Sequence, residues 1–149
     1  MEPVLFQRVG GMMPSCLGIL ETALYVEDLE RAKQFYRTVL QFEILEEDDK
    51  LCALNVGGRQ VLLLFRRGAT RQPVALPGGI IPAHDGSGTL HLAFAIATPD
   101  LDSWERRLAE EKVPIESKMA WPRGGHSLYF RDPDHHLIEL ATPGLWSIY

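Results

Sequence analysis

SLYFRDPDHHLIELA, residues 127–141, is the stretch on which the fold turns. Ser127 to Arg131 and His136 to Ala141 read as two short strands. Asp132-Pro133-Asp134-His135 between them is turn chemistry, because Pro presets φ and Asp bonds back to its own backbone. An earlier stretch has the same shape. Leu51 to Val56 and Gln60 to Phe65 flank Gly57-Gly58-Arg59, a turn tolerant of positive φ. Laid on each other, the two hairpins match Gly58 with Asp134 and Leu63 with Glu139.

Working outward, each hairpin is preceded by a strand and an amphipathic helix. Leu20 to Val26 reads as a strand, and Asp28 is an N-cap. Leu29, Ala32, Phe35, Tyr36, Val39 and Leu40 then recur at three and four. In the second half Leu90 to Ala97 is the strand. Thr98 is expected to cap and Pro99 to open a helix with Leu101, Trp104 and Leu108 on one face, stopped at Val113-Pro114. Glu21 then matches His91, and Leu29, Ala32 and Tyr36 match Leu101, Trp104 and Leu108. The chain reads as two copies of strand–helix–strand–strand–strand. Each copy has one helix to cover its sheet, so the two sheets must face each other or those of a second subunit. The predicted organisation is an N-terminal arm at 1–16, a first βαβββ module at 17–67, a Pro/Gly-rich linker or flap without periodicity at 68–88, and a second βαβββ module with a C-terminal tail at 89–149.

The composition fits this. The chain has 149 residues, 46% hydrophobic and 23% charged, enough for a full core. Fifteen Lys and Arg against 20 Asp and Glu give a net charge of −5, no reason to expect a nucleic-acid partner. No apolar run is long enough to span a membrane, and the opening residues lack the pattern of a signal peptide. Two cysteines without CxxC spacing argue against a disulfide scaffold or thiolate zinc site, so a cytoplasmic protein with reduced thiols is expected.

Polar residues break the strand pattern at three places. Alternation puts Leu20, Thr22, Leu24 and Val26 toward the helix, and Glu21, Ala23 and Tyr25 on the concave face. Likewise Leu90, Leu92, Phe94 and Ile96 face the helix, whereas Thr89, His91, Ala93 and Ala95 face away. In the last strand Leu137, Glu139 and Ala141 oppose Ile138 and Leu140. Charges at strand centres are costly unless paired or hydrated. The spacing leaves two readings open: a divalent ion held by Glu21, His91 and Glu139, or a wide solvated groove in which the three are wet or bonded to each other. Oxygen and imidazole ligands suit Mn, Fe, Co, Ni or Zn, and three protein ligands leave positions for water or substrate.

LETALYVEDLERAKQFYRTVLQFEIL (20–45), GTLHLAFAI (88–96) and SLYFRDPDHHLIELAT (127–142) together resemble the vicinal oxygen chelate superfamily, also called glyoxalase/bleomycin resistance/extradiol dioxygenase. The resemblance spans roughly Leu17 to Pro143. It implies an α+β glyoxalase-like fold, two βαβββ modules forming curled mixed sheets around a central cavity. Its ligand positions fall on Glu21, His91 and Glu139. Three departures stand out. The first ligand position, often His or Gln, is Glu21; the fourth position used in some members is Leu63; and the turn after Asp-Pro-Asp has His135 in place of Gly.

These readings set the functional expectation: a divalent-metal-dependent enzyme (Mn, Fe, Ni, Co or Zn) on a small oxygen-bearing molecule. Isomerase or lyase chemistry through a metal-stabilised enolate ranks first, with Glu21 or Glu139 as base. Extradiol dioxygenase chemistry ranks second, because two carboxylates and one His depart from the usual two-His, one-carboxylate set. A metal-free drug-binding protein of the bleomycin-resistance kind ranks third. A homodimer is expected. Tyr25, Trp121 and His126 are candidate substrate contacts. For each there is a plainer role as well: a core tyrosine, a ring packed under its loop, and a loop histidine. His135 and His136 are expected to be exposed at the turn and strand edge. Arg66, Arg67 and Arg71 are read as a solvated basic cluster.

Overall fold

The computed structural model describes residues 13–149; the first twelve residues of the expected arm lie outside them. Strand β1 (Glu21–Val26) leads into helix α1 (Leu29–Thr38), followed by β2 (Glu43–Glu47), β3 (Leu51–Val56) and β4 (Gln60–Arg66). These strands form one curled sheet in the order β1-β4-β3-β2, with β1 parallel to β4. The second half repeats the arrangement with β7 (His91–Ala95), α2 (Leu101–Glu110), β8 (Ser117–Ala120), β9 (His126–Arg131) and β10 (Leu137–Ala141), in the order β7-β10-β9-β8. The α+β architecture of two four-stranded sheets is as expected. The internal repeat holds residue by residue. Ala23 pairs with Leu63 across β1–β4, and Ala93 with Glu139 across β7–β10.

Helix α1 forms where Asp28 accepts the Arg31 N–H (3.0 Å), and it buries Ala32 and Tyr36. Leu24, Val26, Leu54, Leu62 and Leu64 from the first sheet share one core with Leu108, Leu128, Phe130, Ile138 and Leu140. The modules thus stabilise each other. Arg107 of α2 adds to this by donating to the Thr38 and Val39 carbonyls at the end of α1.

Three details differ from expectation. Thr98 does not cap α2. Thr98–Asp100 is a 3-10 turn, with no side-chain cap bond at either Ala97 or Asp100. The segment at 68–88 carries a small hairpin, β5 (Val74–Leu76) and β6 (Gly79–Ile81), around Pro77-Gly78. Three-residue strands are too short for an alternation to show. The third difference is His136, which is completely buried rather than exposed. It is enclosed because the Asp132–His135 turn folds back between the modules. Asp134 accepts the Glu27 N–H (2.8 Å), and the Tyr36 hydroxyl donates to Asp132 (2.7 Å). The Leu90 N–H donates to His136 Nδ1 (2.8 Å), so Nε2 carries the proton it gives to the Tyr25 carbonyl (3.1 Å). His135 is exposed and takes a left-handed φ of 64°, a conformation His tolerates.

Candidate functional site

β7 and β10 lie side by side, and their parity turns His91 and Glu139 to the face away from the helices. His91, Ala93 and Ala95 are exposed there, whereas Leu92 and Phe94 are half-buried against the core. Glu139, on a central strand, is only 5% exposed. Its Oε1 lies 3.3 Å from His91 Nε2. The other ring nitrogen of His91 is 2.9 Å from the Leu137 carbonyl oxygen. A carbonyl oxygen can only accept, so Nδ1 carries a proton. In the neutral ring Nε2 then presents a lone pair to the lone pairs of a carboxylate. Two acceptors at that distance call for a positive charge between them, a proton or a metal cation. The donor set, one imidazole nitrogen and one carboxylate oxygen, suits a borderline divalent ion.

The other carboxylate oxygen of Glu139 is occupied. Ser127, fully buried on β9, donates its hydroxyl to Oε2 (2.5 Å), and the Trp121 indole N–H donates to Ser127 Oγ (2.8 Å). Tyr129 stands directly across from Glu139 in the β9–β10 register, its ring 6.4 Å from that of His91. Burial raises the Tyr129 phenol above its ordinary pKa, and the adjacent Glu139 charge raises it further, so its hydroxyl stays protonated beside the carboxylate.

Glu21 opens β1, exposed, at the position that corresponds to His91 in the other module. Within one chain no His, Cys, Asp or Glu trio lies at metal-holding distance among the described residues. His91 and Glu139 are therefore brought together, and Glu21 is not brought to them. Tyr25 shares the face of Glu21 but is buried, with its hydroxyl 2.6 Å from His84 Nδ1 and its ring stacked on Phe65. Burial and the Asp85 charge raise its phenol above the ordinary value. The stretch after β6 seals this end of the sheet. His84 is tied to Thr70 by two bonds, and Gly86 presses on the Tyr25 ring with no room for a Cβ. Trp121 is half-buried, with its N–H committed to Ser127. His126 is exposed, and its backbone is stapled to Thr142. Arg71 pairs with Asp85 (2.9 Å), and Arg67 lies near Glu27 (3.6 Å) and Asp134 (4.0 Å).

Ser127, Tyr129 and His84 are missing from the sequence-derived set. For the first two a signal existed. Counting by twos along the strand before the turn puts Ser127 and Tyr129 on the face of Glu139. His84 sits in a stretch without periodicity, and nothing in the spacing marks it.

Comparison with known proteins identifies the family and the fold. Metallothiol transferase FosB from Staphylococcus saprophyticus subsp. saprophyticus is 29% identical over 118 residues, 78% of this chain and 71% of that protein. Catechol-2,3-dioxygenase from Bacillus subtilis is 33% identical over 121 residues, 78% of this chain but 38% of that protein. A crystal structure of lactoylglutathione lyase from Agrobacterium tumefaciens superimposes with a TM-score of 0.81 at 33% identity, covering 90% of this chain and 99% of that one. The family model for the Glyoxalase/Bleomycin resistance protein/Dioxygenase superfamily matches residues 18–140, and on that match the chain belongs to this superfamily.

Proposed function

We propose that this chain is a divalent-cation-dependent enzyme acting on a small molecule that offers one or two oxygens, by isomerase or lyase chemistry beside a carbonyl. The observation that carries the reading is the face-to-face placement of His91 Nε2 and Glu139 Oε1, two acceptors 3.3 Å apart on an open sheet face. A bound Mn, Fe, Co, Ni or Zn ion would act there as a Lewis acid, stabilising negative charge as it develops on a substrate oxygen. The chain's own groups would do the rest. Tyr129, kept protonated, is a hydrogen-bond donor beside the carboxylate. Glu21 and Glu139 are the candidate bases for proton transfer. Tyr25, Trp121 and His126 remain the candidate substrate contacts, with His126 exposed, the Trp121 N–H committed to Ser127, and Tyr25 the least free because it is buried with its hydroxyl bonded to His84.

Glu21 completes the site from a second copy of the chain in this reading. It is exposed on β1, an open sheet edge, and Leu17, Ile19 and Leu20 immediately before it are exposed apolar residues. A homodimer in the cytoplasm, with Cys16 and Cys52 both free, is part of the proposal. No helix among the described residues is long and apolar enough to cross a membrane.

A second reading, transfer of a thiol to a small molecule, is favoured by the relation to FosB. The match to that protein from Staphylococcus haemolyticus covers 86% of this chain and 85% of the relative. Dioxygenase chemistry ranks lower, because Glu21 and Glu139 would make the donor set two carboxylates and one imidazole. Metal-free drug binding ranks lowest, since it gives the His91–Glu139 pair no task.

The test is calorimetric titration of Mn²⁺, Ni²⁺ and Zn²⁺ into metal-free protein, with His91→Ala and Glu139→Gln alongside. One ion per site is expected, with sharply weaker binding in both variants. If the wild type takes no ion at millimolar metal, or all three proteins bind alike, the His91–Glu139 pair is not a metal site.

A further inference from the structure

Glu139 is held by more than its strand. An indole N–H can only donate, so Ser127 Oγ must accept from Trp121 Nε1 (2.8 Å). The one hydroxyl proton of Ser127 then goes to Glu139 Oε2, at 2.5 Å, the length of a charge-assisted bond. Chemistry fixes the direction of both bonds, and the fully buried Ser127 has little freedom to turn elsewhere. One oxygen of the carboxylate is thereby engaged and held in place, and the other is left facing His91 Nε2 at 3.3 Å.

We infer that Trp121 and Ser127 form a positioning relay that locks Glu139 so that Oε1 alone is presented to a divalent cation shared with His91. Neither residue touches the ion; both act through Glu139. The inference rests on the cation reading above and adds to it a denticity and an affinity device. The carboxylate binds through one oxygen, and its rotation is frozen before the ion arrives, so ordering it costs little at binding. The relay also gives the site a reporter, because the Trp121 N–H senses through Ser127 how much charge remains on Glu139.

The experiment is a Zn²⁺ titration of the whole protein read in two ways, by calorimetry and by the indole N–H resonances in ¹⁵N-labelled protein. The chain has three tryptophans, so the Trp121 signal is the one missing from Trp121→Phe. In the wild type, Zn²⁺ is expected to move that signal at the stoichiometry seen by calorimetry. Ser127→Ala should weaken Zn²⁺ binding about 10-fold or more, the usual cost of losing an outer-shell partner. At saturating Zn²⁺ the Trp121 signal should no longer respond in this variant. Trp121→Phe keeps the Ser127 hydroxyl and should weaken binding less. Ser127→Thr restores a hydroxyl and should recover both affinity and signal response, which a loss of folding stability alone would not predict. Wild-type affinity in Ser127→Ala, even with a lowered unfolding midpoint, would reduce Ser127 to a structural role and overturn the relay while the cation reading stood. Failure of the wild type itself to bind Zn²⁺, Mn²⁺ or Ni²⁺ would end both.

Discussion

Replacing Tyr36 by Phe removes one hydroxyl from the contact between the modules and leaves the ring in place. Tyr36 is fully buried, with its hydroxyl 2.7 Å from Asp132 Oδ2. The ring would keep its packing on Phe35 and Phe42. Asp132 Oδ1 would still accept the backbone N–H groups of Asp134 and His136, each at 2.9 Å, whereas Oδ2 would lose its hydroxyl partner. The loss is therefore that of one hydrogen bond to a carboxylate, about 2 kcal/mol. In a chain of this length that corresponds to a drop of about 4–8 °C in Tm. Urea unfolding at pH 7 would measure it, and a double-mutant cycle with Asp132→Asn would assign it to this pair. A pH arm follows from linkage. Burial, and after it the Asp132 charge, hold the Tyr36 phenol well above its ordinary value. A raised phenol favours the protonated form in the folded state. Its contribution is complete below about pH 10, the ordinary value, and is lost as pH rises above it. The gap between wild type and Tyr36→Phe should therefore narrow above that pH. A variant within about 0.5 kcal/mol of wild type at pH 7 would refute the view that this bond locks the modules together.

Other outcomes can be checked with less effort. Native protein at pH 8 should show one reactive thiol, the exposed Cys16, because burial pushes Cys52 up to about 11; denaturant should expose the second. Two fast thiols in the native state would contradict the burial of β3. Gly86→Ala has no room for its methyl over the Tyr25 ring, so the stretch at 82–88 should shift and lose about 1 kcal/mol, with faster proteolysis there. An unchanged cleavage pattern would mean that the stretch is not seated on Tyr25. Mixing Glu21→Ala and His91→Ala chains after unfolding and refolding should restore roughly a quarter of wild-type ion sites if each site draws on two copies. No recovery would rule out a site shared between two copies, and full ion binding by Glu21→Ala alone would place Glu21 outside the site.

The repeat was legible because hydrophobic alternation and turn residues recur in the same order in both halves, whereas the register that sets Glu139 beside Ala93 came from the structure. Glu21, His91 and Glu139 were legible because a charge in an apolar strand pattern is conspicuous, although only Glu139 sits at a strand centre and Glu21 and His91 open their strands. Strands β2 and β8 were not located by residue, since EILEE and SKMA are exposed edge strands without a buried face to impose alternation. The burial of His136 was hidden for another reason. It depends on a turn inserting between modules, a contact between residues far apart in sequence. Ser127 escaped notice because a serine on a strand carries no charge to stand out, and only its partners give it meaning.

The central claim is that His91 and Glu139 share one divalent cation, and the most direct measurement is an anomalous difference map from crystals soaked in Mn²⁺. A single strong peak per site is expected within about 2.2 Å of both His91 Nε2 and Glu139 Oε1, with Ser127 still bonded to Oε2. A map with no peak at this pair, or with its manganese elsewhere, would contradict it.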